Sequence, residues 1–336
     1  SPVVLRDQLP HHLGGSVSHQ ATLRHPATTM SWATWRCAFL LILAATILRL
    51  VYHIWLSPWE LVGDEAYYWV QSFHLAAGYT EKGPLLPWMI AAACRLFGDV
   101  EWAVRLPVVL ASALAAWGIG KTAMSVARGD ERVGFLAVVI FLLLPAFQAN
   151  AQICTQDGPL ITVWVGLGAI GLRLFRRWRE GSSTWIEWLM FGAVMGLGFL
   201  LKQSIFVFLP GMAIYWLFWR RELPLRPVLA AQMAAGVVTA LMVSYPMLAW
   251  NAAHGWPMLA HTLGHLGAGG DQSGKVYAGN PLLWEANTIG SFIGAFGPGV
   301  ILMVSSCVWA WRRRGEQGSA WRDQSWLMCS AWPGTL

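Results

Sequence analysis

VLAAQMAAGVVTALMVSYPMLAW, residues 228–250, contains no charged side chain and ends just before Asn251. A bilayer-spanning helix takes about 20 apolar residues, and this stretch supplies them. Comparable runs cover residues 38–51 and 133–144, and 56% of the 336 residues are hydrophobic while only 12% are charged. A soluble domain carries roughly 25% charged residues, so this much apolar surface calls for lipid. Within lipid the backbone must satisfy its own hydrogen bonds, which favours helices. The expected fold is an all-α polytopic membrane protein. The net charge of +6 could suit a nucleic-acid binder, but the arginines fall in short interhelical loops with no interleaved aromatics, so no nucleic acid is expected. Cys37, Cys94, Cys154, Cys307 and Cys329 are scattered, which indicates neither a disulfide framework nor a zinc site.

Candidate spans are 34–56, 103–126, 133–150, 159–175, 186–201, 204–219, 227–250 and 288–311. Residues 1–30 are polar and read as a disordered cytoplasmic tail, residues 31–311 as the membrane domain, and 312–336 as a cytoplasmic loop leading into a further, truncated helix near Trp326. The first span lacks a small-residue cleavage site and reads as an uncleaved signal anchor. Residues 83–98 are short, open with Gly83-Pro84 and contain Pro87, which suits an interfacial or re-entrant helix. If that segment does not cross, the basic clusters (Arg24 and Arg36, Arg128 and Arg132, residues 173–179, 220–226 and 312–314) share one side. The positive-inside rule makes that side the cytoplasm.

The other face then collects the scarce acids and lysines: Asp64, Glu65, Glu81, Lys82, Asp157 and Lys202, with His254, His261, His265, Asp271 and Lys275. Ionisable groups beside membrane segments are functional candidates. Each also has a plainer reading. Asp64 and Asp157 sit where helices should start and could serve as caps. Lys202, between two apolar runs, could snorkel to the interface or bind a lipid phosphate. His261 and His265, four apart, have a spacing that can hold a divalent metal, but no third ligand is evident. Gly166-Leu167-Gly168-Ala169-Ile170-Gly171 matches a dinucleotide fingerprint inside a predicted span, where close helix packing explains it, as it does Gly192 and Gly196. Residues 269–275 imitate a P-loop, but Val276 replaces the magnesium-binding hydroxyl.

Several short motifs, in order, carry a resemblance. Gly63-Asp64-Glu65-Ala66-Tyr67-Tyr68-Trp69, Gly78-Tyr79, Gly83-Pro84-Leu85-Leu86-Pro87-Trp88, Arg105-Leu106-Pro107, Thr155-Gln156-Asp157-Gly158-Pro159-Leu160, Leu201-Lys202-Gln203, Trp250-Asn251 and His254-Gly255-Trp256 resemble the bacterial relatives of glycosyltransferase family 39. That group is similar to protein O-mannosyltransferases and to the lipid A aminoarabinose transferase, with the GT-C membrane fold and interfacial helices in its first outer loop. Many relatives carry His-Pro-Pro where this chain has Lys82-Gly83-Pro84, so Lys82 replaces that histidine or its contact is lost. Relatives usually continue well beyond this length.

The resemblance implies a glycosyltransferase of the bacterial inner membrane, with its site on the periplasmic face, moving a sugar from a polyprenyl-phosphate donor to a lipid, polysaccharide or protein acceptor. It implies Asp64 as general base and Asp157 as a second acid in the same cavity. Lys202, with Lys82 or Arg105, would stabilise the departing phosphate, and Glu65, Tyr67, Tyr68 and His261 are further candidates for substrate binding. No cofactor is required, because a lipid phosphate is already a good leaving group and the paired carboxylates of glycosidases are not needed. A secondary transporter is the rival from another class, but it would place its ionisable groups near the midplane of broken helices. A non-catalytic relative that binds polyprenyl lipid is the other.

Overall fold

The computed structural model describes residues 33–224, 226–265 and 319–331, with isolated positions at 305, 308 and 312. Its helices are α1 (Trp35–Val51), α2 (Gly63–Phe73), α3 (Leu85–Phe97), α4 (Glu101–Val126), α5 (Glu131–Leu143), α6 (Pro145–Asn150), α7 (Asp157–Arg179), α8 (Trp185–Leu201), α9 (Phe208–Trp219), α10 (Pro227–Ala253), α11 (Pro257–His265) and α12 (Ser319–Ala331). A π-helical turn, Tyr52–Leu56, extends α1, and a 3₁₀ turn, Gln203–Val207, leads into α9. Among the described residues, four helices are long and apolar enough to cross a bilayer: Trp35–Leu56, Glu101–Val126, Asp157–Arg179 and Pro227–Ala253. Three other expected spans are built from shorter pieces: α5 with α6, α8, and the 3₁₀ turn with α9. The expected span at 288–311 lies outside the described residues apart from positions 305 and 308.

Local chemistry explains the breaks. Pro145 disfavours helical backbone at the residue before it, and Leu144 is extended (ψ 122°), which divides α5 from α6. Asp130 caps α5 by accepting the Arg132 N–H at 2.9 Å, while Arg176, Arg177 and Arg179 in the last turn of α7 complement the helix dipole. Glycines let α8 and α10 touch backbone to backbone: a Cβ on Gly192 would strike the Gly236 carbonyl, and one on Gly236 the Trp188 carbonyl. This small-residue contact is how membrane helices gain close packing. The dinucleotide-like glycines lie wholly within α7, where Gly171 receives the ring of Trp326.

The bundle has two chemically distinct ends. At the first, Arg176 donates to Ser125 at the end of α4 and pairs with Asp323 at 2.7 Å, Arg179 binds the Tyr215 hydroxyl at 2.7 Å, and Arg322 pairs with Glu222 at 2.7 Å. The described basic clusters therefore share this arginine-rich end. At the opposite end lie α2, both ends of α3, the start of α4 and α7, and the ends of α8 and α10. The helix α12 runs from Ser319, earlier than the apolar stretch at Trp326, and its Arg322 and Asp323 make these ion pairs. It is also packed into the bundle, with Trp326 fully buried among Phe175, Phe208 and Tyr215.

Candidate functional site

The acid- and lysine-bearing rim is organised by two ion pairs of opposite character. In the buried pair, Arg105 Nε donates to Glu65 Oε1 at 2.9 Å and Nη2 to Oε2 at 2.8 Å. Nη1 and Nη2 also donate to the carbonyls of Trp59 at 3.3 Å and Glu60 at 2.9 Å. Glu65 also accepts the backbone N–H of Cys154 at 2.7 Å and of Val62 at 3.1 Å. One carboxylate thus ties together the starts of α2 and α4 and the loop before α7. Burial alone would raise the Glu65 carboxyl, but the hydrogen bonds from Arg105, Cys154 and Val62 outweigh it and hold the group below its ordinary value.

The sequence reading set Glu65 and Arg105 against substrate. The geometry sets them against each other: their side chains are 1% and 5% exposed, and four of the five guanidinium N–H donors are taken. In this arrangement the pair holds neighbouring segments in place. The second pair is open. Lys202 Nζ lies 2.8 Å from Asp157 Oδ1, with the side chains 39% and 49% exposed. Asp157 begins α7 without capping it, so its carboxylate is free for this contact.

Asp64 does not cap its helix either. Glu65 reaches back to the Val62 N–H instead, leaving Asp64 exposed and without a hydrogen bond or ion pair to any described residue. One turn on, Tyr68 is only 3% exposed, yet its hydroxyl has no partner among the described residues. Burial first, then the charges of Asp64 and Asp157, push that phenol above its ordinary value. Tyr68 is therefore a neutral donor close enough to both carboxylates to sense them. Tyr67 packs edge-on against Tyr68 with centroids 5.6 Å apart; burial and then nearby Glu81 raise its phenol, so the Glu81-Lys82 loop runs beside α2. Lys82 is half-buried and forms no ion pair with a described residue.

Gly83 is required where it stands. A Cβ there would collide with the carbonyls of Leu200 and Leu201, so glycine lets this loop abut the end of α8 next to Lys202. Buried Gln156 completes the junction by donating Nε2 to the Gly83 carbonyl at 3.2 Å. Beyond α10, the chain turns through Gly255 and Trp256 at φ 75° and 59°, and Asn251 Oδ1 accepts the Met258 N–H at 3.3 Å. Met258 packs with Leu200 and Met247 against Leu85 and Trp88, and His261 follows it on α11. Among the described residues no three His, Cys, Asp or Glu side chains converge on a common point; the side chain of His265, with Asp271 and Lys275, lies outside them.

Two polar residues of this region escape sequence reasoning. Gln156 stands in the motif beside Asp157 with nothing in its local pattern to show that it reaches the Gly83 carbonyl. Arg49, buried in α1, donates to Ser112 Oγ at 3.2 Å and Gln148 Oε1 at 2.8 Å, with no carboxylate partner among the described residues. A lone arginine inside an apolar run was the available signal.

The comparisons with known proteins agree with this architecture. At 28% identity over 68% of this chain and 46% of its own length, the chain is similar to the lipid A galacturonosyltransferase RgtD of Rhizobium johnstonii. It is 30% identical to the undecaprenyl phosphate-α-4-amino-4-deoxy-L-arabinose arabinosyl transferase of Aeromonas salmonicida over 53% of this chain and 34% of that one. The chain therefore spans between about a third and a half of the length of these relatives. The crystal structure of ArnT from Cupriavidus metallidurans bound to undecaprenyl phosphate superposes with a TM-score of 0.61 at 18% identity, covering 89% of this chain and 58% of that one, which establishes the shared GT-C membrane fold. Residues 81–250, just over half of the chain and including Lys82, Arg105, Asp157 and Lys202, match the family model for dolichyl-phosphate-mannose-protein mannosyltransferase, and the protein belongs to that family.

Proposed function

We propose that the protein transfers a glycosyl group from a polyprenyl-phosphate donor to an acceptor at the rim that carries Asp64, Asp157 and Lys202. The observation that carries this reading is the convergence there of an unpaired carboxylate, an exposed carboxylate–lysine pair, an unpartnered phenol and the half-buried Lys82, all beside apolar helices. Several relatives are named for an undecaprenyl-phosphate-linked sugar, which is the donor class proposed here.

In the reaction, an acceptor oxygen or nitrogen attacks the anomeric carbon and passes its proton to Asp64. The bond from that carbon to the phosphate oxygen breaks, and polyprenyl phosphate leaves with the electron pair. Lys82 and Lys202 balance the phosphate charge. Lys202 reaches the phosphate by exchanging Asp157 for it, a change of low cost because exposed ion pairs contribute about 0–1 kcal/mol. Tyr68 donates a hydrogen bond into the same space. Lys202→Ala should accordingly leave thermal stability almost unchanged while weakening donor binding and transfer together. Binding of labelled donor to purified variant measures this, and unchanged donor affinity would remove Lys202 from the phosphate site.

We also assign the rim to the outer face, with α3 lying in or along the interface. The support is that both ends of α3 are tied to the same end of the bundle: Gly83 to Gln156, and residues 99–101 to Arg105 and so to Glu65. The arginine-rich end is then cytoplasmic. Single cysteines at Tyr79 and Asp99 should react with an impermeant thiol reagent from the same side of sealed vesicles. Labelling from opposite sides would require α3 to cross.

A further inference from the structure

A second site lies at the arginine-rich end, remote from the reaction. A cavity of about 260 Å³ opens between the α7–α8 loop and the start of α10, and Trp178, Ser182, Ser183, Thr184, Arg226 and Gln232 are among its lining residues. No described lining residue is acidic. Of the acids nearest in sequence, Glu180 adjoins Gly181 and is exposed without lining the cavity, and Glu187 is paired with Arg173 at 2.8 Å and Arg177 at 3.6 Å. The cavity therefore presents hydroxyls, an amide and a guanidinium, a set suited to an anion.

Two independent features aim donors into it. Thr184 stands at the N-cap of α8 but does not cap the helix; its hydroxyl donates to Gln232 Oε1 at 2.6 Å. The first turn of α8 thus has no side-chain cap, and the positive end of its dipole faces the loop that walls the cavity. Gln232 itself is 3% exposed, with its oxygen satisfied and its Nε2 unpartnered among the described residues. That nitrogen opens on the cavity and can donate to a molecule bound there. Arg226 sits at the mouth, with Nη1 donating to the Gly181 carbonyl and its side chain exposed.

The surroundings select a lipid over a free anion. Trp185 stands at the rim in the manner of an interfacial tryptophan. Directly along α8, the exposed faces of Ile186, Leu189 and Met190 continue from the cavity as an apolar surface on which acyl chains can lie. Basic pockets between membrane helices on the cytoplasmic side suit acidic headgroups.

We propose that this cavity binds the phosphate headgroup of an acidic phospholipid, held by Arg226, the start of α8 and the Gln232 amide. The test is native mass spectrometry of the purified protein exposed to equal amounts of phosphatidylglycerol and phosphatidylethanolamine, with and without inorganic phosphate. Wild type should retain phosphatidylglycerol preferentially, and millimolar inorganic phosphate should not displace it. Gln232→Glu preserves an acceptor for Thr184 but places negative charge in the cavity, and should lower retention about tenfold, as should Arg226→Glu. Arg226 is exposed, so that variant decides the matter if Gln232→Glu fails to fold. Equal retention of the two lipids by wild type, undiminished retention by a folded Arg226→Glu protein, or displacement by inorganic phosphate would each overturn the proposal.

Discussion

Asp64→Asn should express and insert normally while losing transfer by about 10²-fold or more, the scale of general-base catalysis. Asparagine is nearly isosteric with aspartate and ranks alike as a helix cap, so a capping role would leave activity almost intact. The structure separates the two readings before any assay: α2 is served by the Glu65 carboxylate, and Asp64 satisfies no backbone group. Its carboxylate is exposed at N2, where the helix dipole favours the charge and where Tyr68 senses it. The expectation is therefore loss of a proton acceptor with no loss of fold, read as transfer rate against the amount of correctly inserted protein. Near-normal transfer by this variant would end the assignment of Asp64 as base.

Arg105→Leu should fail in the opposite manner. Removing one member of a buried ion pair leaves the other uncompensated, at a cost of about 3–5 kcal/mol, and here the stranded group is a Glu65 side chain only 1% exposed. Because Glu65 bonds both Val62 and Cys154, the loss spreads to the start of α2 and the loop before α7. Thermal unfolding in detergent should drop sharply and activity should follow it. A stable but inactive Arg105→Leu protein would instead return Arg105 to the substrate. The pair also carries a pH signature. The folded-state carboxyl of Glu65 titrates below its ordinary value of 4.5, so its contribution is complete above that value and disappears as pH falls through the lower native one. Acid should therefore loosen the rim in wild type, and this part of the acid sensitivity should be missing from Glu65→Gln.

The contrast between the two ion pairs marks where sequence reading succeeds and where it stops. Long uncharged runs such as 228–250 declare themselves as helices because lipid permits little else, and the arginines at 173–179 and 220–226 declare one end of the bundle. Asp64, Asp157 and Lys202 could be selected because charge is rare in such a chain. Their partners could not. Glu65 and Arg105 lie 40 residues apart and Asp157 and Lys202 lie 45 apart; nothing in either local pattern says which acid meets which base, or which pair is buried. The requirement for glycine at position 83 comes from carbonyls of a helix more than a hundred residues on. Likewise, the break at Leu144 was legible only as a proline, and the ion pairs that Arg322 and Asp323 of α12 make depend on Arg176, Arg179 and Glu222.

The central claim is transfer from a polyprenyl-phosphate donor with Asp64 as proton acceptor, and release of the lipid product tests it most directly. The protein in proteoliposomes is supplied with a polyprenyl-phosphate-linked sugar and a candidate acceptor, and free polyprenyl phosphate is quantified by mass spectrometry. Wild type should release polyprenyl phosphate in step with glycosylated acceptor, while equally well inserted Asp64→Asn protein should release at least about a hundredfold less. Release unaffected by Asp64→Asn, or accumulation of glycosylated acceptor without free polyprenyl phosphate, would contradict that claim.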